Sequence, residues 1–141
     1  MTTTSHTPTV WLAGAAPQAT KSLLDRLSSF AVGHDANELL ASGPGPMLSD
    51  IGQHATAWLV VFQRDQTDAC WADWAQRCRA VNENFRCLVV GAEEGKVWPE
   101  DSIFLPSNCL STIVLDRLRV ESHALRMASN RQRHIARLMR R

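Results

Sequence analysis

No uninterrupted apolar run in this 141-residue chain approaches the ~20 residues needed to span a bilayer, so no membrane-crossing helix is expected. The amino terminus also lacks the basic-then-apolar order of a secretory signal, and the expectation is a cytoplasmic protein with no membrane partner. Four cysteines, Cys70, Cys78, Cys87 and Cys109, form no CxxC pair and no Cys/His cluster at zinc-ligand spacing, which argues against a metal site. Each lies in or beside an apolar run and reads as a buried thiol. The Gly43–Pro46 stretch (GPGP) has glycines but neither Walker nor dinucleotide spacing, and its prolines remove amide donors that a phosphate would need, so it reads as a turn. His34 and Asp35 adjoin in an expected loop without a nucleophile-elbow serine or cysteine, and hydrolysis is not indicated. Asp65, Asp68 and Asp73 fall at an expected helix start, where acids favour the positive end of the helix dipole. No enzyme activity and no cofactor are expected.

What is present is enough for one folded domain. Hydrophobic residues make up 45% of the chain, and Trp, Leu and Val recur from Thr9 onward. Residues 1–9, rich in Thr and Ser, read as a flexible leader. Thr9–Ala13 (TVWLA) is a short β-rich run, ended by Gly14 and Pro17 before the helical pattern Ala19, Leu23, Leu24, Leu27. Phe30–Val32 reads as a brief second strand, and Asp35 can cap a turn of helix to Ala41 with Leu39 and Leu40 inward. Met47–His54 is a short amphipathic piece. Ala57–Phe62 (AWLVVF) and Cys87–Val90 (CLVV) have the uninterrupted apolar character of parallel strands covered on both faces. Between them, after a cap at Thr67 or Asp68, the stripe Cys70, Trp71, Trp74, Ala75, Cys78, Val81 predicts a helix lying on the sheet. Ser102–Leu105 (SIFL) is the fifth strand. Alternating strands and helices call for a three-layer α/β fold, with a parallel five-stranded sheet in order 2-1-3-4-5.

In order and spacing of elements, Val10 to Leu118 resembles the receiver domain of two-component response regulators, a flavodoxin-like fold. The most specific local match is Ile103-Phe104-Leu105-Pro106, similar to that family's fifth strand and its lysine–proline pair, with Leu105 where the lysine belongs. The resemblance places the family's magnesium-holding acidic pair at Gly14 and Ala15, its phospho-acceptor aspartate at Phe62 or Gln63, and its phosphoryl-sensing hydroxyl at Gly91. Gly14 and Ala15 offer no oxygen ligand, neither Phe62 nor Gln63 can form an acyl phosphate, and Gly91 has no hydroxyl. Asp65 is the nearest acid, and using it would overextend the third strand. The resemblance is therefore to degenerate pseudo-receivers, and it implies a module that cannot be phosphorylated and works by protein–protein contact in bacterial-type signal transduction or transcription regulation. Only about ten residues, Ala92 to Asp101, separate the fourth and fifth strands, so the fourth helix is expected to be short or missing, with Trp98 covering the sheet or anchoring a partner.

From Leu110 the chain reads as one long helix with no Gly or Pro, and residues 117–141 hold eight arginines against the single acid Glu121, leaving about −6 on the rest of a chain of net charge +1. This boundary divides an expected receiver-like domain, 10–116, from a basic helix that would link to an output domain. Val114, Ala128 and Ile135, and Leu118, Leu125 and Met139, mark two heptad positions of a weak two-stranded seam, which predicts a homodimer through this helix. The partner beyond that is the chain's own output domain or a regulatory protein. The rival reading is nucleic-acid binding by Arg126, Arg131, Arg133, Arg137, Arg140 and Arg141, which lack interleaved aromatics or a turn-helix motif. His123 and His134 are expected to face solvent.

Overall fold

The structure is a computed structural model, and it describes residues 7–62, 70–91 and 98–140, without the side chains of Cys70 and Ser129. The chain runs β1 (Thr9–Ala13), α1 (Pro17–Leu27), β2 (Val32–Asp35), a 3-10 turn (Ala36–Leu39), α2 (Gly45–Ile51), β3 (Ala57–Phe62), α3 (Cys70–Val81), β4 (Phe85–Val90), β5 (Ile103–Leu105) and α4 (Ser111–Met139). All four strand pairings are parallel, in the order β2-β1-β3-β4-β5. The middle of the sheet is β1, β3 and β4, whose pleat sends alternate side chains to opposite faces. Trp11, Ala13, Leu59, Val61, Cys87 and Val89 point to one face, where α2 and α3 cover them with Met47, Ile51, Trp71, Trp74 and Cys78. Val10, Leu12, Trp58, Val60, Leu88 and Val90 point to the other, covered by Leu23 and Leu27 of α1 and by Val114, Leu115 and Leu118 of α4. Full burial of each Leu, Ile or Val here contributes about 1.5–3 kcal/mol.

Several local expectations shift. Thr9, assigned to a leader, is the fully buried first residue of β1; residues 1–6 lie outside the described residues. The second strand is Val32–Asp35, not Phe30–Val32: Phe30 and Ala31 close α1 by amide bonds back to the Leu27 carbonyl, and pairing with β1 begins only at Val32. His34 and Asp35 thus sit in an edge strand, not a loop. Asp35 does cap, its carboxylate accepting the Asn37 amide at 2.9 Å, but Leu40 turns outward. GPGP is only half turn, since α2 starts at Gly45 with Pro46 in its first turn, where proline's missing N–H costs nothing. Val81 lies on the solvent side of α3. Trp98 is buried in the α2/α3 core cluster, so it packs and does not anchor a partner. The caps at Thr67 or Asp68, with Asp65, lie outside the described residues, as do residues 92–97 of the link before β5; Asp73 is exposed in the first turn of α3.

Cys78 and Cys87 are fully buried thiols, whereas Cys109 is half-buried in the turn before α4. Burial pushes Cys78 up to about 12 and Cys87 higher still, with Cys78 adding to the shift at Cys87. Because the thiolate is the reactive form, iodoacetamide at pH 8 is expected to modify Cys109 in the native protein, and Cys78 and Cys87 only after unfolding. Peptide mass spectrometry of a time course checks this, and rapid native labelling of Cys87 would contradict the burial.

Candidate functional site

In open α/β sheets, ligands and chemistry gather at the carboxyl ends of the strands. Among the described residues there, short backbone and amide contacts join the strand ends. Gly14, directly after β1, takes φ +78°, and a Cβ in its place would lie 2.3 Å from the Phe62 carbonyl oxygen at the end of β3. Its amide donates to the Asn37 side-chain oxygen at 2.9 Å, and the Asn37 amide nitrogen donates back to the Ala15 carbonyl at 3.4 Å. Among the described residues the carboxylate close by is Asp35, which is engaged in capping that same turn. On the far side Gly91, at φ +85°, donates its amide to the Leu105 carbonyl at 2.8 Å. Gly14, Ala15, Phe62, Gly91 and Leu105 are all at this carboxyl edge; Gln63 lies outside the described residues. Among the described residues, backbone and amide groups occupy the junctions around β1 and β2, and no acid follows directly on β1 to hold a cation.

A polar cluster that the sequence does not announce lies on the α2 side of the sheet. Asp50, near the end of α2, accepts from Thr9 Oγ1 at 2.6 Å and from the Trp11 indole N–H at 2.9 Å through one oxygen. His54 Nε2 is 3.2 Å from its other oxygen, and His34 Nε2 stands 3.5 Å from the first. The His34 ring stacks on Trp11, centroids 4.4 Å apart. His54 Nδ1 in turn is 2.8 Å from the Thr7 carbonyl, so both its ring nitrogens face acceptors. Burial pushes the Asp50 carboxyl up, but the hydrogen bonds from Thr9 and Trp11 and the attraction of His34 and His54 outweigh it and hold the group below its ordinary value. Among the described residues no group of three or more His, Cys, Asp or Glu is placed to hold a metal ion, and this cluster ties β1, β2 and α2 together.

The third feature is α4. Its first four turns belong to the core: Val114, Leu115, Leu118 and Ser122 are buried, Ser122 accepting the buried Trp58 indole N–H at 2.8 Å. Val114 and Leu118 are therefore not available to a partner; the domain's own sheet reaches them first. Leu125 packs partly on the same cluster, and from Arg126 on every described side chain is exposed. Ala128, Ile135 and Met139 remain open to solvent. On the face turned away from the sheet a second apolar series appears, Ile113, Val120, Ala124, Met127 and Leu138, at spacings that keep it on one side of the helix. The arginines divide. Arg126, Arg133 and Arg140 follow Arg119 at seven-residue intervals, with Arg137 beside them, while Arg131 falls among the apolar series; Arg141 lies outside the described residues.

No protein-family model matches the chain, and no curated protein matches it in sequence. Solved structures do match in shape. A chain titled as the adenylate cyclase from Rhodopirellula baltica superposes with TM-score 0.60 at 11% identity, covering 91% of this chain and 96% of that one. The fold is flavodoxin-like. A 3-dehydroquinate dehydratase-like protein from Bifidobacterium longum matches with TM-score 0.52 at 13% identity, over 86% of this chain and 98% of the other. At such identities the likeness concerns the flavodoxin-like fold, and residue roles do not transfer. Among the described residues no helix is long and apolar enough to cross a membrane.

Proposed function

We propose that this chain is a non-catalytic, receiver-like regulatory module that pairs with a second copy through α4 and passes a signal to an output domain or regulatory protein. The observation that carries the reading is the apolar series on the outer face of α4. Ile113, Val120, Met127 and Leu138 are each about half exposed or more, on a helix whose opposite face already has its core. An exposed apolar series on one side of a helix, here spaced by seven, four, three and eleven residues with Arg131 and His134 in its longest gap, has the character of a helix–helix seam. The sequence supports the non-catalytic part, having Gly14 and Ala15 where a phosphorylatable receiver holds its metal-binding acids and Phe62 or Gln63 where it holds its acceptor.

Light scattering tests the pairing. The full chain is expected to be a dimer at about 100 μM and Val120→Asp/Met127→Asp a monomer, with circular dichroism unchanged because both positions are solvent-facing. A truncation that probes the arm belongs after Arg126, because an earlier cut would remove Leu118 or Ser122, the partner of Trp58, from the core. A monomeric full chain, or a dimer that survives the double substitution, overturns this reading.

A further inference from the structure

At the amino-terminal end of the sheet, the described residues of one cleft carry charge of a single sign. It opens beside Pro8 and Thr56, where the chain enters β1 and β3, and has a volume of about 140 Å³. The helix α4 brings Arg119, His123 and Arg126 to it, spaced by four and three residues so that all share one helix face, and no acid lines it among the described residues. The guanidinium of Arg119 is braced over the Phe30 ring, 5.1 Å from its centroid. Two nearly buried hydroxyls complete the lining: Thr56, and Ser122, whose oxygen accepts from Trp58 and whose own proton is free to turn toward the cleft.

The contrast with the neighbouring cleft is informative. There Arg86 and Arg117 are matched by Asp101 and Glu121, and Arg117 is already paired with Glu121 at 3.0 Å, so that surface neutralises itself. The Arg119 cleft has no such internal partner. Fixed guanidinium groups with hydroxyl donors and no carboxylate are the chemistry that recognises a phosphate oxyanion. Its volume of about 140 Å³ holds a phosphate and a few further atoms.

We propose that this cleft binds the phosphate group of a small ligand, either inorganic phosphate or a phosphomonoester. Arg119 and Arg126 clamp the oxyanion, with the Thr56 and Ser122 hydroxyls as further donors. The site lies on a different face of α4 from the outer apolar series, so it stands or falls separately from pairing.

The test is calorimetric titration of the full chain at fixed low ionic strength with inorganic phosphate, glycerol 3-phosphate and a short DNA duplex, with tryptophan emission followed in parallel. Saturable binding of one phosphate or phosphomonoester per chain is expected, and the tighter of the two identifies the source. Arg126→Ala should weaken it by about tenfold or more, because a charge-assisted contact is lost from an exposed position that the core does not need. Arg137→Ala, on the same helix face but outside the cleft, should leave it unchanged. Three results would overturn the assignment: no saturable binding of either small ligand, equal loss in both variants, or steeply salt-dependent duplex binding with phosphate inert.

Discussion

Replacing Gly14 by alanine is expected to lower the stability of the domain by about 3 kcal/mol or more, a large share of what a domain of this size has in total. Two costs combine. The backbone at φ +78° disfavours any L side chain by ~1–2 kcal/mol. The new methyl would also meet the Phe62 carbonyl oxygen at 2.3 Å and its carbon at 3.2 Å. That contact is with backbone at the end of β3, so relief requires separating β1 from β3 where Ala13 pairs with Val61. Gly43 supplies the control: its φ is +99°, yet nothing lies within 4 Å of a Cβ there, so Gly43→Ala should show the conformational cost alone. Urea unfolding of the two variants separates the effects. Equal midpoints would mean that the β1–β3 junction is not as tightly closed as described.

The second large effect concerns Asp50. Asp50→Ala leaves the Trp11 indole N–H and the fully buried Thr9 hydroxyl without their acceptor, and is expected to cost about 2–3 kcal/mol at neutral pH. The folded-state pKa of Asp50 lies below its ordinary value of 3.8, so its ionised form stabilises the fold above that pH. That contribution is lost as pH falls below 3.8 through the lower folded-state value, when the folded protein also binds the proton. The stability gap between wild type and Asp50→Ala should therefore narrow on going from pH 7 to pH 3. Denaturant unfolding at the two pH values measures it, and an undiminished gap at pH 3 would show that the carboxylate charge is not what the cluster uses.

The parts of the fold legible in the sequence are those whose burial is two-sided. AWLVVF and CLVV can only be central strands, and the third helix has a stripe of tryptophans that no exposed helix would carry. The second strand was harder because Val-Gly-His-Asp, at the sheet edge and half exposed, has neither an apolar run nor alternation. The Asp50 cluster was not legible for a related reason: it joins Thr9 and Trp11 to a residue about forty positions away, and His34 enters it only once the edge strand is in register with β1. The Asp50–His54 spacing of four was its one local signal. In α4 the heptad pattern correctly marks an apolar series at Val114, Leu118 and Leu125, but periodicity does not say whether such a face meets its own sheet or another chain. The sheet claims it, and the outer series at Ile113, Val120 and Met127 emerges only when that claim is known.

The same unbroken helix that seals the core also forms the exposed arm, and nothing between residues 111 and 139 is a glycine or proline that could act as a hinge. At 1.5 Å per residue, the stretch beyond Leu125 extends roughly 20 Å from its last contact with the body. A rotation imposed on that arm therefore has no soft joint in which to dissipate. It arrives at the Ser122–Trp58 hydrogen bond and at Leu118, over the middle of the sheet, so that force applied at the tip and strain at the centre of the domain are two ends of one lever.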